Sequence, residues 1–79
     1  MKLWSGHKIS TLKSRNWTPV PMSLNRIREM NISEYMEWFA NHPSKGRWCP
    51  DQSATEHFIG YIYYFEDAKV ATEFALRWA

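Results

Sequence analysis

"EHFIGYIYYFED", residues 56–67, is the stretch on which the fold turns. Successive residues of a strand point to opposite faces of a sheet, so a half-buried strand alternates apolar and polar side chains. Here Phe58, Ile62 and Tyr64 would share one face, and Ile59, Tyr61, Tyr63 and Phe65 the other. Both faces are apolar, and one is almost wholly aromatic. The strand therefore needs cover on one side, and its other side is surplus until something is found to meet it.

Outward from that strand, local signals place the other elements. Downstream, "EDAKVATEFALRWA" carries Val70, Ala71, Phe74, Ala75 and Trp78 at helical spacing, with Asp67 as N-cap and Glu66 near the positive end of the helix dipole. Leu76 and Arg77 fall off that stripe. Upstream, "DQSAT" reads as a loop, "SKGRW" as a turn around Gly46, and Arg47 to Cys49 as a short strand broken by Pro50 and Asp51. Before it, Ile32, Tyr35, Met36, Phe39 and Ala40 stand at i, i+3, i+4, i+7 and i+8, which predicts a helix buried along that stripe. Asn31 with Glu34 three residues on resembles a capping box, and Pro43 stops the helix. Trp38 falls outside the stripe, beside Glu34, Glu37 and Asn41, as an outward-facing anchor. Leu24 and Ile27 suggest a further helical turn before it. "WTPVPM" carries two prolines that forbid a central strand but permit an edge strand or an extended connector, and "HKISTLK", residues 7–13, reads as a first strand.

The predicted order is β-α-β-β-α: an α+β domain with a small antiparallel sheet of about three strands and two helices on one face. This is a ferredoxin-like order without its last strand. The chain of 79 residues reads as a single domain, residues 1–79, and the order of residues 1–6 is left open. A chain this short buries only about 60 to 65% of its unfolded surface, so its stability calls for assistance. A single cysteine, Cys49, excludes an internal disulfide, suits a reducing compartment and has no CxxC partner for zinc. Five Trp, four Tyr and four Phe make aromatic burial the expected source of stability.

Function classes narrow by exclusion. No run of 18 apolar residues occurs, so no membrane span is expected, and no secretory h-region follows Lys2; a cytoplasmic setting is expected. Cys49 with His42 or His57 is the sole nucleophile–base combination, yet Cys49 sits between Trp48 and Pro50 without a helix N-terminus to activate it. His7, His42, His57 and Cys49 match no compact ligand spacing. No catalytic residue, metal site or cofactor is expected, and the reading is of a non-enzymatic protein. Charge is polarised: residues 1–28 hold six basic and no acidic side chains, a net +6, while residues 29–79 hold four basic and eight acidic, a net −4.

What remains is binding. Two helices can cover one sheet face only, which leaves an aromatic face around Tyr61 and Tyr63. With Trp38, and with Lys13, Arg15 and Arg47 for charge complementarity, these are the candidate partner-binding residues. The alternative is a single-stranded nucleic-acid binder, with Tyr61, Tyr63 and Trp48 as stacking platform and Lys8, Lys13, Arg15 and Arg47 on the phosphates. A homodimer burying two aromatic faces together is the third reading.

The C-terminal third, "YYFEDAKVATEFALRWA", with the upstream "MEWFANH" and "GRWC", resembles small orphan accessory proteins of tailed phages. Those tend to end in an aromatic strand, an acidic Phe-Glu-Asp turn and a helix finishing Phe-x-Leu-Arg-Trp. The likeness covers about half the chain and transfers no functional residue. It implies stoichiometric work: occupying a surface on a host protein or an antiviral defence complex, inside a host cell.

Overall fold

The computed structural model describes residues 1–4, 15–55 and 57–78. Among them, four strands form one mixed sheet: β1 (Lys2–Leu3), β2 (Thr18–Ser23), β3 (Arg47–Ala54) and β4 (Ile59–Phe65). Three helices accompany it: α1 (Leu24–Glu29), α2 (Ile32–Asn41) and α3 (Ala68–Trp78). The strand order is β1-β3-β4-β2, with β4 antiparallel to both β2 and β3, and β1 parallel to β3. β2, the helical crossover, β3 and the returning β4 therefore make the split β-α-β of the expected α+β order. The sheet has four strands rather than about three, because Lys2–Leu3 adds an edge. The first strand expected at residues 7–13 lies outside the described residues.

The prolines explain both edges. β2 is an edge strand, with Pro19 opposite Tyr64 and Pro21 opposite Ile62. Spaced two apart, both prolines occupy the set of positions that need donate no ladder bond. β3 was expected to end at Cys49, yet it runs on to Ala54. The backbone N–H of Trp4 donates to the carbonyl of Trp48, so Trp48 faces the outer edge, and Pro50, two residues on, faces it as well. A proline there breaks no pairing with β4. The chain then turns through Thr55–Phe58, closed by a bond from Thr55 N–H to the Phe58 carbonyl.

The helix ends follow their local signals. Ser23, Asn31 and Asp67 accept bonds from the backbone N–H groups of Arg26, Glu34 and Lys69 at their helix starts. Glu34 does not reach back to complete a capping box; its carboxylate pairs with Arg77 on α3. At the other end of α2, the Met1 ammonium donates to the carbonyls of Phe39 (2.9 Å) and His42 (3.0 Å), placing positive charge at the negative end of the helix.

The core lies between the helices and one sheet face. Val20, Met22, Trp48, Tyr63 and Phe65 from the sheet meet Phe39 from α2 and Val70, Ala71, Phe74 and Trp78 from α3. Phe65 and Phe74 are fully buried, and α3 buries the stripe its sequence spacing predicts. Tyr35 is the hub: its ring lies edge-on to Phe39, Tyr63, Phe74 and Trp78 at centroid separations of 4.9 to 6.4 Å. Such edge-to-face pairs add about 0.5–1.5 kcal/mol each beyond area burial.

α2 is rotated from the predicted stripe. Tyr35, Trp38 and Phe39 face inward, while Ile32 is 70% and Met36 53% exposed. At about 100° per residue, the apolar positions from Trp38 round to Ala40 span about 200° of the helix circumference. The sheet cannot cover so wide an arc, and the aromatic side of it carries more area to remove from water.

Candidate functional site

The sheet's second face is not bare. Side chains alternate along β4, so Tyr61, Tyr63 and Phe65 point into the helix layer, and Ile62 and Tyr64 point the other way. Around Tyr64, a second cluster gathers Trp17, Trp4, Cys49 and Ile62. Trp17 and Tyr64 are buried, and Trp4 is half-buried with its ring centroid 4.8 Å from that of Trp17.

Arginines lie over this cluster. The Arg47 guanidinium sits 5.5 Å from the ring centroids of both Trp4 and Trp17, and the Arg15 guanidinium 5.5 Å from that of Trp4. Glu66 holds Arg47 in place: Nε donates to Oε1 at 3.1 Å, Nη2 to Oε2 at 2.9 Å, and the Arg47 backbone N–H to Oε1 at 3.0 Å. The Glu66 N–H in turn donates to the Arg47 carbonyl. The hydrogen-bonded Arg47, helped by the field of Arg15, holds the Glu66 carboxyl below the usual carboxylate range. β1 adds one more cation. Lys2 is the parallel-register partner of Arg47, so its side chain leaves the sheet on the same face.

The sequence-predicted binding residues divide between two sides of the molecule. Arg15 and Arg47 are brought together over Trp4. Tyr61 and Tyr63 are a correction: they lie under the helices, with Tyr63 5% exposed, so they form no open platform. Burial, with the bond between its phenol and that of Tyr63, pushes the Tyr35 hydroxyl far above its ordinary value. Trp48, the third platform residue, is buried and stacks on Phe39 at 3.8 Å. Trp38 is a correction as well. It is half-buried, edge-on to Phe39 and Trp78 and tilted against His42, because its indole has more apolar area to hide than Ile32 or Met36. Lys13 lies outside the described residues.

Sequence reasoning missed Trp4, Trp17 and Lys2. The available signal is a repeated spacing, Lys2-x-Trp4 and Arg15-x-Trp17, beside Arg47-Trp48. It also missed Ile32 and Met36 as surface residues.

The remaining reactive groups are accounted for locally. Burial, with the nearby Asp51 charge, pushes the Cys49 thiol up, away from the thiolate a nucleophile needs. His42 Nδ1 accepts from the Ser44 N–H at 3.1 Å, while Nε2 meets the Glu73 carboxylate at 2.7 Å. The imidazole thus ties the end of α2 to α3. Among the described residues, no group of three His, Cys, Asp or Glu side chains is placed to hold a metal ion, and no helix is long and apolar enough to cross a membrane. A shallow groove of about 370 Å³ lies at the other end of the sheet, lined by Ser23, Leu24, Asn25, His57, Phe58 and Ile59. Comparison with protein-family models, with curated proteins and with solved structures finds no match.

Proposed function

We propose that this is a non-enzymatic protein that acts stoichiometrically, by binding another protein through the outer ridge of α2. The observation that carries this reading is the pair Ile32 and Met36, one helical turn apart and 70% and 53% exposed. Ala40, also exposed, continues the ridge by another turn. The helix presenting it is rigidly held, by Tyr35, Trp38 and Phe39 beneath, the Met1 ammonium at its end and Arg77 on its flank. An apolar ridge on a fixed helix is a common docking element, since little ordering entropy is lost when a partner closes over it. The phage-like C-terminal pattern is the ground for looking for that partner among host or defence proteins.

The test is capture from host lysate by the wild-type protein and by an Ile32→Ser, Met36→Ser double variant. Leu76→Ser serves as control, because Leu76 is 84% exposed but lies on α3. The expected result is one dominant captured protein, lost about tenfold in the double variant and unchanged in the control. Capture that survives the double variant overturns the choice of surface.

A further inference from the structure

The face opposite the helices carries chemistry of a different kind. Lys2, Arg15 and Arg47 collect at one end of the sheet, and beneath them lie the indoles of Trp4 and Trp17. Among the described residues, two carboxylates share this face. Glu66 is committed to the Arg47 clamp, and Asp51 lies further along β3, opposite Ile62 and beyond Cys49. Lys2 and Arg15 are exposed, so their charges meet solvent. The end of the face around them is therefore electropositive, and it fits a polyanion.

A protein partner is the weaker match to this patch. Protein interfaces centre on exposed apolar anchors, whereas Trp17 here is 6% exposed and Trp4 is half-covered. What the patch presents is cationic: guanidinium groups laid over indoles. An arginine so placed is weakly hydrated and planar, and Arg15 can meet a phosphate bidentately, whereas Arg47 spends its Nε–Nη2 edge on Glu66 and has only its outward Nη donors for a phosphate oxygen. The flexible backbone of a single strand can bring successive phosphates to Lys2, Arg47 and Arg15 in turn.

We infer that the Lys2–Arg15–Arg47 patch over Trp4 and Trp17 is a binding site for single-stranded nucleic acid, held through its phosphates rather than by base stacking. The site is separate from the α2 ridge, across the sheet from it. A protein bound to the ridge and a strand bound to the patch would be carried by one molecule.

The test is fluorescence anisotropy of a labelled oligothymidylate of about 20 nucleotides, titrated with the full chain at several salt concentrations. Two or three phosphate contacts predict a log–log salt slope of about −1.4 to −2.1. Arg15→Gln should weaken binding about fivefold and flatten the slope, and adding Lys2→Gln should weaken it again. Both substitutions are at exposed positions, and an unchanged thermal midpoint verifies that they leave the fold intact. Because binding is through the backbone, oligothymidylate and oligoadenylate should bind within about twofold of each other. No anisotropy change at low salt overturns the inference. So does full-strength binding by the Lys2→Gln, Arg15→Gln variant, or a polyglutamate peptide that binds where the oligonucleotide does not.

Discussion

At the scale of single residues, Gly60 is the position where the fold tolerates least. A Cβ built there would lie 2.1 Å from the Met22 carbonyl oxygen and 2.9 Å from the Ser23 Cα, both backbone atoms of β2. No side chain can rotate away to relieve that contact, so the strands themselves must part. Gly46 offers the contrast: its nearest neighbours would be the Asp67 Cβ and the Ser44 Oγ, each at 3.3 Å. Gly60→Ala should therefore cost about 3 kcal/mol or more in urea unfolding, while Gly46→Ala should stay within about 1 kcal/mol of wild type. Equal effects would show that β2 and β4 are not so tightly apposed. Gly60 was visible in the sequence as an interruption in an aromatic run. The reason for it was not, because the atom it avoids belongs to a strand almost forty residues upstream.

At the scale of elements, α2 shows how a periodic pattern can be read correctly as helix and incorrectly as orientation. Its start at Asn31 and its stop before Pro43 are local events, and both are where the sequence places them. Its rotation is not local, because it depends on which part of a wide apolar arc finds a partner. The structure makes a direct prediction here. Trp38→Ala removes an indole that meets Phe39, Phe74 and Trp78, and should destabilise the protein by about 2–4 kcal/mol. Ile32→Ser should change stability by less than about 0.5 kcal/mol, as a substitution at an exposed site. Thermal melts of the two variants separate this orientation of α2 from the one in which Ile32 is buried and Trp38 faces out; the second would reverse their order.

At the scale of the whole molecule, the sheet separates two kinds of surface. The helix layer contains the aromatic core and offers an apolar ridge, and the opposite face offers cations over indoles. The Arg47–Glu66 pair holds the second face together, since it joins the start of β3 to the residue just after β4 and lies against Trp4 and Trp17. Glu66 titrates below its ordinary value of 4.5 in the folded protein. A carboxylate lowered on folding stabilises the native state above its unfolded pKa, and that contribution is lost as pH falls through the folded value. Wild type should thus melt a few degrees above Glu66→Gln near neutrality, and the gap should close as the pH is taken well below 4.5. A gap that stays constant into acid would remove Glu66 as the group responsible. The basic and acidic halves of the chain are themselves linked across the molecule by Arg26, whose Nε donates to the Trp78 carbonyl.

The local sequence was enough for the helices and their starts, in the α3 stripe and the Asn31 and Asp67 caps, and for keeping the proline-bearing β2 out of the centre of the sheet. These depend on dihedral preference, side-chain period and hydrogen bonds within a few residues, which are properties of a short segment. The tertiary structure alone decided which face of β4 the helices cover, because both faces are apolar and an alternating pattern without polarity carries no sign. It also decided how α2 is turned and that Lys2, Trp4, Arg15, Trp17 and Arg47 meet. That patch is assembled by β1 joining the edge of β3, a contact across more than forty residues of chain whose energy no local segment contains.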